Sequence, residues 1–194
     1  MFRLSLLAAA LALPVLAQQN PVEQFRADLQ FVQNELPRRH PGFFVNLNEA
    51  DFTAAARTLE GGIASLTAPQ FYTRLQELIA LSRDGHTSLN LNTTTNGFGQ
   101  LKLEFKWFAD GVFVTAASAN YPQLLWAQLV KVGGVSIDEV LARLTRTVSR
   151  ENEHWPRYAV PRLLRNPGVL RGIGVASATG PVPYAFKLAG GETA

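Results

Sequence analysis

Apolar residues in the first half of the chain recur at three- and four-residue steps, the spacing that gathers them on one face of a helix. Val22, Phe25, Leu29, Val32 and Leu36 define a first helix, which Pro37 and Pro41 are expected to stop. Asn48 is placed to cap a second, with Phe52, Ala55, Ala56 and Leu59 inward and Gly61-Gly62 at its end. Thr67 and Gln70 stand three apart, a capping-box spacing. The third helix that they open turns Phe71, Leu75, Leu78, Ile79 and Ser82 to one side, and Gly85 is expected to close it.

From about residue 86 the period drops to two. Leu101, Leu103, Phe105 and Trp107 alternate with Lys102, Glu104, Lys106 and Phe108, then Asp110-Gly111 marks a tight hairpin and Val112-Phe113-Val114 a return strand. A further strand, Leu129–Val132, ends at Gly133-Gly134. Ser136 and Glu139 repeat the capping-box spacing, ahead of a helix faced by Ile137, Val140, Leu141 and Leu144. Residues 151–166 read as helical with breaks at Pro156 and Pro161, and Val182–Leu188 reads as strand. The fold class expected is α+β: a helical amino-terminal unit over about 20–90, then a mixed β/α unit over about 100–194 with a helical insertion at about 149–172. Asn92–Gly99 is polar and reads as a flexible loop. Gly190-Gly191 reads as a turn with no strand after it, hence an open edge and a chain cut short.

Residues 1–17 change the picture. Arg3, the apolar run Leu4–Leu13, and Val15-Leu16-Ala17 before polar Gln18 form a secretory signal peptide, too short to span a bilayer. The mature chain is expected to be exported, to the periplasm or outside the cell, with no membrane span after cleavage. Cysteine is absent, which excludes disulfides, thiol nucleophiles and cysteine metal sites. The net charge of +3 comes from scattered arginines, with no stripe for nucleic acid.

No complete catalytic set is present: no G-x-S-x-G elbow, no H-E-x-x-H and no phosphate-cradling glycine loop. His40, His86 and His154 lack ligand spacing, so neither metal nor cofactor is expected; Glu151, Glu153 and His154 read as a solvated helix start. The motif to weigh is Asp84-Gly85-His86-Thr87 at a helix-to-strand junction. His86 is the candidate general base there, with Asp84 or Thr87 to orient it; the plainer reading is a cap followed by a strand.

The order of motifs resembles the amino-terminal half of the C-terminal processing, or tail-specific, serine peptidases, the family that includes the tricorn core. The resemblance rests on His40-Pro41-Gly42-Phe43-Phe44, on Asp84–Thr87, on the strand pair around Asp110-Gly111, on Leu124–Val135 and on Ser149–Glu153. It implies a PDZ-like module over residues 100–194 and a missing carboxy-terminal α/β domain of the crotonase type, which would hold the nucleophilic serine. It implies a protein or peptide substrate, and His86 as the base of the tricorn-like branch. Ser177 and the lysines at 102, 106, 131 and 187 do not match the family's nucleophile or lysine base. Leu124, Leu125, Trp126 and Ala127 stand at the candidate peptide-binding loop, where Trp126 replaces a residue that is often glycine. The alternative is a complete, non-catalytic envelope module that binds peptides or a protein partner.

Overall fold

The computed structural model describes residues 20–91 and 98–193. The signal-peptide reading of residues 1–17, and residues 92–97 of the expected polar loop, lie outside them.

Three helices open the fold: α1 (Pro21–Arg39), α2 (Glu49–Gly62) and α3 (Ala68–Ala80). Asn20 and Asn48 cap the first two, each accepting a backbone N–H two residues on, at 3.1 and 2.8 Å. The Thr67 N–H donates to Gln70 Oε1 at 3.0 Å, closing the expected capping box. Pro37 does not stop α1. It sits in the last turn, where its missing N–H forfeits a single helical bond, and the helix runs on to Arg39. Gly85 does not cap α3 either; Arg83, at φ 57°, makes the left-handed exit. The inward faces meet in a core of Phe25, Leu29, Phe43, Phe52, Ile63, Phe71 and Leu75, with Phe25 stacked on Phe71 at 4.3 Å between ring centres.

The second unit is an antiparallel sheet with helices. β1 (Leu103–Phe108) and β2 (Gly111–Ala117) form the hairpin, bulged between Glu104 and Phe105. β3 (Gln128–Val132) lies between β2 and β5 (Tyr184–Lys187) and turns through Gly133-Gly134 into the short β4 (Val135–Ser136). Helix α4 (Ile137–Arg146) follows, then the insertion helices α5 (Trp155–Leu163) and α6 (Pro167–Gly172). Val112, Val114, Leu129, Val132, Leu144, Val160, Leu164 and Leu170 fill this core. Beyond β5 the chain turns back: the Leu188 N–H donates to the Glu192 carbonyl at 2.7 Å, and Lys187 bridges Thr193. The expected turn at Gly190-Gly191 thus has a short returning partner.

Buried polar side chains join the two units. Gln76 of α3 donates to the Thr147 carbonyl at 2.9 Å and accepts the Leu89 N–H at 2.6 Å. Ser149 Oγ donates to the Thr87 carbonyl at 2.7 Å, and Asn166 Nδ2 to that of Leu91 at 2.6 Å. The segment 85–91 after α3 is therefore held on both sides. Helix α6 packs directly on α3, where Gly172 meets Thr73. Among the described residues no helix is long and apolar enough to cross a membrane.

Candidate functional site

The Asp84–Thr87 motif forms a corner just past the end of α3, and Asp84 is its hub. Oδ1 accepts the His86 N–H at 2.9 Å, and Oδ2 accepts the Thr87 hydroxyl at 2.9 Å. Oδ2 also meets His40 Nε2 in a short contact. These donors, the His86 N–H first, then His40 and Thr87, hold the Asp84 carboxyl down at about 2. His40 comes from the turn after α1, where Phe43 is buried against Phe52 and so fixes the loop carrying the imidazole. Forty-four positions separate His40 from Asp84, and the sequence reading did not pair them.

His86 projects outward, with 93% of its side chain exposed. Two carboxylates face its Nδ1: Asp84 Oδ1 at 3.6 Å and Glu151 Oε1 at 3.8 Å. Glu151 Oε1 also accepts the Gly85 N–H at 3.3 Å. Glu151 is thus part of the corner, rather than only a solvated helix start. Both acids lie toward Nδ1, an arrangement that favours a proton there and leaves Nε2 to accept one. A cavity of about 210 Å³ opens beside the corner, lined by Gly85, Leu89, Ser149, Trp155 and Tyr158 among others.

Asp84, His86 and Glu151 each bring one ligand atom within 4.8 Å of the others. Asp84 is already engaged by three donors, so the trio carries no metal assignment here. Thr87 holds Asp84 rather than the His86 ring. Ser177 lies in an exposed loop with Oγ donating to the Thr179 carbonyl at 2.6 Å. The lysines at 102, 106, 131 and 187 are all exposed.

The loop Leu124–Ala127 is not arranged to hold a carboxylate. Its four N–H groups are already used: those of Leu124, Leu125 and Ala127 inside the turn, and that of Trp126 on the Val114 carbonyl at 2.9 Å. Ala127 is buried, whereas Leu125 and Trp126 are exposed. Trp126 has φ 63°, the left-handed shape that glycine adopts without strain.

The hub makes a pH prediction. The Asp84 carboxyl is lowered from an ordinary value of about 3.9, so its contribution is complete above that pH and lost as pH falls through about 2. Amide exchange at His86, corrected for intrinsic rate, should stay protected down to about pH 4 and lose protection between about pH 4 and 2. Protection unchanged across that window would mean Asp84 does not hold the corner.

No family model and no curated protein matches the sequence. Solved structures do. The fold is similar to that of mature CPAF complexed with lactacystin, with a TM-score of 0.59 and 14% identity over 89% of this chain and 34% of that one. A crystal structure of mature CPAF gives 0.58 and 14%, over 89% and 33%. At this identity the likeness establishes a shared α+β fold, and the chain spans about a third of the length of those proteins.

Proposed function

We propose that this chain is the amino-terminal, non-nucleophile half of an exported serine peptidase of the tail-specific type. In this reading its second unit is a PDZ-like module that positions a protein or peptide substrate, and a carboxy-terminal α/β domain supplies the serine. The observation that carries the reading is the corner: His86 stands exposed with two carboxylates toward Nδ1, on a turn fixed by Asp84. The fold likeness to mature CPAF supports it.

In the mechanism that follows, the serine attacks the scissile carbonyl and gives its proton to His86 Nε2. The charge that develops on the imidazole is stabilised by Asp84 and Glu151. His40 and Thr87 are positioning residues, since they act through Asp84. The order β3, Gly133-Gly134 turn, β4 and α4 supports the PDZ-like reading of the second unit.

The chain by itself should therefore be inert. A fluorophosphonate probe applied to the purified 194-residue chain is expected to label no residue. Stoichiometric labelling, at Ser177 for example, would place a nucleophile inside the chain and contradict the proposal.

A further inference from the structure

We infer that the cavity beside the corner is a specificity pocket, which takes one aromatic side chain of a peptide lying across His86. The inference rests on the proposed function for the peptide, and on three observations for the pocket. The first is place. Gly85 lines the cavity and directly precedes His86. Its N–H is held by Glu151 Oε1, the same atom that faces His86 Nδ1 at 3.8 Å. One turn therefore carries both the imidazole and a wall of the cavity. An extended chain advances about 3.3 Å per residue, so a peptide with its scissile bond at His86 brings a neighbouring side chain to the cavity.

The second is the chemistry of the floor. Leu89, Leu91 and Val148 give it an apolar lining, with Leu91 and Val148 buried. The buried polar residues beside them are already bonded. Gln76 spans the Thr147 carbonyl and the Leu89 N–H. Thr147 Oγ1 donates to the Leu144 carbonyl at 2.8 Å, and Ser149 Oγ to that of Thr87. Such a floor favours a group that needs no hydrogen bond, since a polar one would lose water without gaining a dedicated partner.

The third is the aromatic wall. Trp155 and Tyr158 line the cavity yet stay 39% and 56% exposed, with ring centres 5.2 Å apart. The Arg162 guanidinium lies 4.4 Å from the Tyr158 ring centre and bonds its hydroxyl, which holds that ring in place. A third ring set against this pair gains edge and face contacts beyond its buried area. The volume of about 210 Å³ is below the roughly 300–1,000 Å³ of sites that take a whole drug-sized ligand, so the cavity suits a single side chain.

The test is an amide-shift titration of the full chain with N-acetyl-phenylalaninamide, against N-acetyl-alaninamide and free indole. The phenylalanine probe is expected to saturate with a Kd on the order of 1–10 mM, as suits one buried ring, and to shift Leu89, Val148, Ser149 and Ala159. The alanine probe should shift none of them. Trp155→Ala should weaken binding about fivefold by removing half of the aromatic wall. Ser88→Trp, at an exposed lining position, should block the cavity without touching the core. Equal shifts with the alanine probe, shifts centred elsewhere, or entry of indole with exclusion of the capped phenylalanine would overturn the inference. Binding is read on this chain alone, so loss of the peptidase reading would leave that result intact, and absence of binding would leave the peptidase reading intact.

Discussion

If the proposed longer polypeptide carries a catalytic domain, replacing His86 with alanine in it is expected to lower peptide turnover by about a thousandfold, within the range of a lost general base. The same change should leave folding intact. The side chain is 93% exposed and packs against nothing whose loss would open a cavity. Surface substitutions of this kind stay within about 0.5 kcal/mol. The two readouts separate the functional from the plain reading of the corner. A large fall in kcat with an unchanged melting temperature means that His86 takes the proton. Unchanged turnover means that the corner is only the junction between α3 and the second unit.

The largest effect on stability is expected at Gly172. A Cβ added there would lie 2.0 Å from Thr73 Oγ1, 2.4 Å from Thr73 Cβ and 2.7 Å from the Pro69 carbonyl oxygen. None of these is the free end of a flexible side chain. Thr73 is fully buried and Pro69 contributes backbone, so α3 and α6 must separate to admit a methyl group. Gly172→Ala should cost about 3 kcal/mol, at the upper end for overpacking. Denaturant unfolding would measure it. Thr73→Ala should not rescue the variant, because the Thr73 Cβ remains in the way, whereas Thr73→Gly should rescue it in part. A near-neutral Gly172→Ala would mean that α3 and α6 do not pack as closely as described.

Both tests act on features that the sequence revealed unevenly. The helices were legible because Val22, Phe25, Leu29 and Val32, or Phe71, Leu75 and Leu78, keep a helical period, and because Asn48, Thr67 and Ser136 cap as their chemistry dictates. The hairpin was legible from the alternation of Leu103, Phe105 and Trp107 and from Gly111, which takes φ 146°. The end of α3 was not. Glycine is the usual left-handed exit, yet Arg83 takes it, and no local pattern marks it.

The site was half legible. Asp84-Gly85-His86-Thr87 is a contiguous string at a predicted junction, so it could be found. Its partners could not, since His40 and Glu151 reach it from 44 and 66 residues away, through tertiary packing alone. The signal for His40 was its place in a His-Pro-Gly-Phe turn, which fixes a loop but does not say what the loop touches. The bonding of the Leu124–Ala127 loop was hidden for a similar reason. Composition shows a loop beside a strand, whereas the hydrogen-bond partners of its N–H groups show that none is free. The segment 85–91 and the aromatic residues of α5 lie far apart in sequence and form one cavity only in the folded chain.

If these residues are the amino-terminal part of a serine peptidase, the mature polypeptide isolated from its natural source must be much larger than they are. Its intact mass is expected well above the 21.2 kDa of the 194 residues, large enough for a further catalytic domain. A mass matching residues 18–194 alone would contradict it, and would leave a non-catalytic peptide-binding module in its place.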